Sequence, residues 1–311
     1  LCERHVAQGE AVLFKEVEAM KLHIKWNTII PYLLIMPNVL MYAVFVLIPV
    51  VCIFLLSFTD YTILNPGGWV GLQNYKRLIS DSIFHQAVIN TSVYWFFTVV
   101  PTMLIGLAIA ALLNTGIRAQ SIFRAAIFLP GVISSVAIAM TWLWLLDPMQ
   151  GPVNAILEWF GGQGRSWLQD PDTALPSIIV IGIWSGIGFS MLIYLAGLQG
   201  IPEHLYEAAS IDGAGLFRKF IWITIPMLRP ITFFLFITTT IRSFQVFDLV
   251  FILTNGGPMN STTTIVNEVV KTAFQDYRMG YAAALSIFLL ILTLIITMVN
   301  YKVGSERGET E

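Results

Sequence analysis

Arg242 stands inside an otherwise apolar run. A guanidinium near the centre of a membrane-length helix costs roughly 2.5–3.5 kcal/mol on insertion scales, so it faces water or other protein rather than lipid. Thr238, Arg242, Gln245 and Asp248 follow one another at intervals of four, three and three residues, which puts them on one helical face. A polar stripe of this kind can line a solute path, with the aromatic rings of Phe244 and Phe247 nearby. It can equally bind neighbouring helices or a partner subunit, and residue type alone leaves both readings open. A second group, Glu203 and Glu207, forms a like-charge pair four residues apart, which costs a few tenths of a kcal/mol on a helix. Neither acid has a lysine or arginine at helical spacing within that helix. Such carboxylates suit docking against a basic groove, or plain solvation at an interface.

Other chemistries lack their parts. No G-x-x-x-x-G-K-[ST] phosphate-binding loop and no H-E-x-x-H occur in the sequence. His5, His23, His85 and His204 all lie outside the long apolar stretches, so no intramembrane serine has a histidine to activate it. Neither Cys2 nor Cys52 belongs to a cluster with metal-ligand spacing or to a disulfide framework, and Cys52 reads as packing. With no metal site, no cofactor motif and a net charge of −2 without a basic block, catalysis and nucleic-acid binding are not expected.

The elements that position these residues are membrane helices. Charged residues make up 12% of the chain, against about 25% in a soluble domain, and the mean hydropathy is +0.75. A crossing helix needs roughly 20 apolar residues. Six stretches qualify, 29–58, 92–113, 125–146, 174–197, 231–251 and 282–301, and none alternates as a membrane barrel strand does. The expected class is therefore an all-α membrane protein of about six transmembrane helices. Pro31, Pro37 and Pro49 predict a first span that is kinked or begins at the interface. Trp69, Trp142, Trp144, Trp167 and Trp184 read as interfacial anchors more readily than as stacking platforms for a solute. Residues 1–28 lack a cleavable signal, Met20 is an alternative start, and the first span is expected to act as its own insertion signal.

Lysine and arginine placement orients the chain. Arg4, Lys15, Lys21, Lys25, Arg118, Arg124, Arg218, Lys219, Arg229, Lys302 and Arg307 fall on one side, and Lys76, Arg77, Arg165, Lys271 and Arg278 on the other. Both termini are thus expected in the cytoplasm. The expected organisation is an N-terminal cytoplasmic segment 1–28, a first helix and outer segment 29–87, a transmembrane core 88–301, and a tail 302–311. Within the core, the cytoplasmic loop 199–229 predicts two short helices. Pro202 suits the start of the first, Asp212-Gly213-Ala214-Gly215 breaks it, and Pro226 stops the second.

Glu207-Ala208-Ala209, three residues, Gly213, nine residues and Ile223-Thr224-Ile225-Pro226 match E-A-A-x3-G-x9-I-x-L-P, except for isoleucine at Ile225. That pattern resembles the signature loop of ABC importer permeases. Ser57-Phe58-Thr59-Asp60-Tyr61, Ile211-Asp212-Gly213-Ala214 and Thr254-Asn255-Gly256-Gly257-Pro258 resemble its carbohydrate-uptake branch, of maltose, multiple-sugar and glycerol-3-phosphate type. The resemblance runs from about Ile30 to Asn300 and implies a type I ABC importer permease in the bacterial cytoplasmic (inner) membrane. It further implies a second homologous permease, two ATPase subunits that carry ATP and Mg, and an extracytoplasmic solute-binding protein. In this reading Glu207, Ala208, Ala209 and Gly213 couple the chain to the ATPase. Thr238, Arg242, Gln245, Asp248 and Asn255 are candidates for the substrate path. The rival reading, an ion-coupled secondary transporter, expects intramembrane acids or histidines, of which the spans offer little beyond Asp248. The identity of the sugar is not written in these motifs.

Overall fold

The computed structural model describes residues 30–116 and 118–305. The chain forms two compact units that adjoin in sequence between Leu55 and Leu56.

The first unit is carried by α1 (Ile30–Leu56), with mean hydropathy 3.0 over its most apolar stretch. Three prolines do not break it. Instead its backbone widens into a π-helical turn at Ala43–Leu47, just before Pro49. Pro49 has no N–H to return to the carbonyl four residues back, and the wider turn accommodates that missing bond without ending the helix.

The second unit is helical apart from one isolated bridge between Thr59 and Trp69. It comprises α2 (Gln73–Ser80), α3 (Ser82–Leu113), α4 (Gln120–Val132), α5 (Ser135–Leu145), α6 (Pro152–Trp159) and α7 (Pro171–Gln199). Then follow α8 (Glu203–Ile211), α9 (216–227), α10 (Arg229–Phe244), α11 (Asp248–Leu253), α12 (Ile265–Val270) and α13 (Met279–Ser305). Helices α1, α3 and α7, the α10–α11 run and α13 are each long and apolar enough to cross a membrane.

The stretch 125–146, expected as one span, is formed by α4 and α5, which meet at a bend of 96°. Pro130 and Gly131 weaken the last turn of α4, and Ile133 and Ser134 then adopt extended backbone. The fifth span is also interrupted, because Gln245, Val246 and Phe247 leave the helix between α10 and α11. Lipid offers no partner for a carbonyl freed by such a break. Here Thr264 supplies one, its hydroxyl donating to the Val246 carbonyl at 3.2 Å.

The central pair is α3 and α7. Val99, Met103, Ala110 and Leu113 of α3 bury against Met191, Tyr194, Leu195 and Leu198 of α7, with Leu228 and Leu235 closing the cluster. Between lipid-bathed helices there is little hydrophobic drive to associate, so close van der Waals approach must hold them. Gly106 supplies it: a Cβ there would lie 2.7 Å from the Cβ of Ser190. Gly188 likewise admits the α4 backbone, where a Cβ would come within 2.5 Å of the Ile127 carbonyl oxygen.

Candidate functional site

Helices α3, α4, α5, α7, α10 and α11 line a cavity of about 530 Å³. Helix α3 contributes Tyr94, Thr98 and Thr102, α7 contributes Gly182 and Phe189, and the α4–α5 bend brings Pro130, Ile133 and Ser135 to its wall. The interrupted fifth span supplies Thr239, Arg242, Ser243, Gln245, Phe247 and Asp248. Both departures from straight helix therefore lie on this cavity.

Hydroxyls in an apolar helix ordinarily donate to the carbonyl four residues back. Thr91, Ser92, Ser177, Thr238 and Ser286 do so, to Ala87, Val88, Thr173, Phe234 and Ala282. Thr102 and Ser243 do not. Both are buried on the cavity wall, and neither hydroxyl oxygen has a hydrogen-bond partner among the described residues. A buried polar group without a partner costs about 1–3 kcal/mol. These two oxygens thus form hydrogen-bonding positions that the chain itself leaves open.

Arg242 lies in the last turn of α10 and reaches toward α7, with its guanidinium carbon 4.7 Å from the centroid of the Phe189 ring. Stacking of this kind returns about 0.5–2 kcal/mol, less than the insertion cost of the charge. Among the described residues Arg242 forms no salt bridge, and neither does Asp248. They are the charged residues on the cavity wall.

The expected stripe is thereby divided. Arg242, Gln245 and Asp248 meet on one cavity, whereas Thr238 lies outside its wall and bonds to its own helix. The neighbour Thr239 takes the place expected of Thr238. Phe247 lines the cavity and stacks on Phe251 at 5.0 Å, while Phe244 is buried against Trp95. Asn255 sits in a left-handed turn, φ 49°, beyond the end of α11 and away from the cavity wall. The sequence reading missed Thr102 and Ser243. Their residue types carry no signal, since their orphaned hydroxyls depend on side-chain direction.

The second candidate region is the α8–α9 loop. Glu203, Glu207 and Ala208 are exposed on α8, and Ala209 is half-buried. Gly213 closes the helix with φ +74°, where a side chain is disfavoured. The Ala214 N–H donates to the Ala209 carbonyl at 2.8 Å and the Gly213 N–H to the Ser210 carbonyl at 3.1 Å. This is the paired pattern that satisfies the last carbonyls of a helix ending in glycine. Tyr206 and Thr224 share a hydrogen bond of 2.9 Å, Lys219 donates to the Ser210 hydroxyl, and Leu205 and Tyr206 pack on the α3–α7 core. The loop is thus anchored at its base. At its tip Ile211, Leu216 and Phe217 remain 87%, 87% and 78% exposed around the glycine turn. An apolar tip beside two exposed carboxylates has the composition of a docking surface.

Residues 102–304 match the family model for the binding-protein-dependent transport system inner membrane component. The chain is 35% identical over 289 residues to a probable ABC transporter permease protein, YurN, of Bacillus subtilis, covering 90% of this chain and 99% of that one. It is 35% identical over 282 residues to the trehalose/maltose transport system permease protein MalF of Thermococcus litoralis, covering 89% and 94% respectively. In fold it is similar to a chain in the crystal structure of a bacterial ABC transporter that imports the acidic polysaccharide alginate. That match has a TM-score of 0.80 at 23% identity and covers 89% of this chain and 95% of that one.

Proposed function

Since the chain belongs to the binding-protein-dependent transport inner membrane components and is a permease subunit of an ABC importer, we propose that it carries a saccharide through the cavity between α3, α7 and α10. The observation that carries this reading is the pair of buried, unpartnered hydroxyls of Thr102 and Ser243 beside Arg242, Gln245 and Asp248. Sugar hydroxyls both donate and accept, so they can fill such positions in passing without a permanent partner. Phe247 offers an aromatic face for the apolar side of a sugar ring.

In this reading the permease works as half of a heterodimer in the bacterial cytoplasmic membrane, with both termini inside. Two ATPase subunits bind ATP and Mg, and an extracytoplasmic binding protein delivers the solute. The α8–α9 loop docks on an ATPase through Ile211, Leu216 and Phe217, with Glu203 and Glu207 set against a basic groove. The transmembrane core corresponds to 88–301; the N-terminal segment 1–28 and the end of the tail 302–311 lie outside the described residues.

The test begins with a mild-detergent pull-down from the native host, followed by reconstitution of the co-purifying chains in vesicles. An ATPase and a second permease should come down with the chain, and saccharide uptake should require ATP. Replacing both hydroxyls, Thr102→Val with Ser243→Ala, should lower uptake by about tenfold while the complex still assembles. Reproducible purification of the chain alone, with uptake in vesicles lacking ATP, would replace this reading by the ion-coupled transporter.

A further inference from the structure

The cavity says more about its solute than that it carries hydroxyls. Arg242 presents five N–H donors in a fixed fork. Among the described residues no side-chain or backbone acceptor hydrogen-bonds to them. Its neighbours on the wall include Thr239, Ser243, Gln245 and the Phe189 ring. The Thr239 hydroxyl donates to its own helix at the Leu235 and Phe236 carbonyls. The Phe189 ring, 4.7 Å from the guanidinium carbon, answers the charge but offers no oxygen acceptor to the N–H groups.

The acid on this wall, Asp248, forms no salt bridge with Arg242. It lies in the first turn of α11, where the helix N-terminus favours a negative charge. Arg242 stands in the last turn of α10, an end that favours positive charge, and its guanidinium carbon lies 4.7 Å from the Phe189 ring of α7. The two charges therefore remain available for different parts of one solute. A carboxylate accepts hydroxyl donors well, and a guanidinium matches a planar oxyanion with two parallel hydrogen bonds.

Resting on the saccharide-path reading above, we propose that the solute is an acidic saccharide. Its carboxylate or equivalent oxyanion pairs with Arg242, and its hydroxyls meet Asp248, Ser243 and Thr102. Arg242 is then a specificity-determining residue, selecting acidic over neutral sugars of the same shape.

The solute-binding protein that co-purifies with the importer should be isolated with its native ligand, and the released ligand identified by mass spectrometry. An acidic saccharide is expected; a neutral one would overturn the proposal while leaving the saccharide path intact. A ligand that is no saccharide would overturn the path reading itself. In vesicles, uptake of the released ligand should then be compared with uptake of its carboxyl-reduced form, for the native permease, Arg242→Lys and Arg242→Gln. Arg242→Gln should lower uptake of the acidic form by about 10- to 100-fold relative to the reduced form, and Arg242→Lys should recover part of that selectivity. If the ratio is unchanged and both forms fall together in Arg242→Gln, the arginine holds the fold and the proposal fails.

Discussion

The α8–α9 loop and the segment 254–272 both join membrane-length helices, yet they spend their polar groups in opposite ways. Segment 254–272 turns its polar groups inward. Thr262, Thr263, Thr264, Asn267, Glu268 and Thr272 are all buried. From α3, Asn90 donates through its side-chain amide to the carbonyls of Asn260 and Thr263 at 3.0 Å each, and Thr91 accepts from the Ile265 N–H at 3.1 Å. The α8–α9 loop keeps few such bonds and leaves its acids and its apolar tip exposed. Three buried polar atoms of segment 254–272, Ser261 Oγ, Asn267 Nδ2 and Glu268 Oε2, have no partner among the described residues, yet its backbone is bonded to α3 at three points. A connection bonded to the core in this way is a fixed frame, and one that keeps its groups exposed has surface to give to another molecule.

The sharpest way to break the frame is Asn90→Ala. It strands the buried Thr263 carbonyl, while the Asn260 carbonyl keeps its bond from the Thr263 N–H, and a loss of about 2 kcal/mol is expected. Thermal unfolding of the purified chain in detergent measures it, and an unchanged midpoint would show that water or neighbouring residues replace the amide.

A smaller effect is expected at Gly213, where a Cβ would meet nothing within 4 Å and only backbone conformation resists a side chain. Gly213→Val should cost about 1–2 kcal/mol locally, while Gly213→Asn, which tolerates the left-handed region, should cost less. Membrane insertion should survive in both. Uptake per ATP hydrolysed should fall for valine and hold for asparagine, and equal uptake by the two would remove the turn from the coupling argument.

The smallest effect concerns pH. Burial raises the Glu268 carboxyl above its usual range, against the opposing pull of Lys271 and the Thr272 hydroxyl. A raised acid favours the folded state below its unfolded pKa, and that contribution is lost as pH rises through the folded value. Glu268→Gln should therefore be less stable than the native chain, or equal to it, in acid. Near neutrality the order should reverse, by about 1 kcal/mol or less. A pH series of unfolding midpoints checks the sign; parallel curves would mean that Glu268 is solvated.

Hydropathy located the crossing helices because twenty apolar residues have few other places to go. The glycine at 213 and the proline at 202 marked the ends of α8 because their backbone constraints are local. The interruptions at Ile133–Ser134 and at 245–247 were not legible in this way. The break at 245–247 depends on a partner distant in sequence, Thr264, which covers the Val246 carbonyl, and the proline before Ile133 is no sure sign, since Pro101 sits inside the unbroken α3. The same limit applied to the cavity. Arg242 announced itself by charge, but Thr102 and Ser243 look like every other hydroxyl in the spans until their neighbours are known.

Helix α10 runs from the base of the α8–α9 loop to the cavity, with Arg229 at one end and Arg242 near the other. Thirteen residues of rise make a lever arm of about 20 Å. The Tyr206–Thr224 bond and the packing of Leu205 against the core tie α8 to the segment leading into that arm. A tilt of about 5° at the loop would sweep the guanidinium through roughly 2 Å, over half the length of a hydrogen bond. In the proposed reading, the grip on a solute and the stroke of a motor are geared to this one rod, so that whatever turns the loop loosens or tightens the hand.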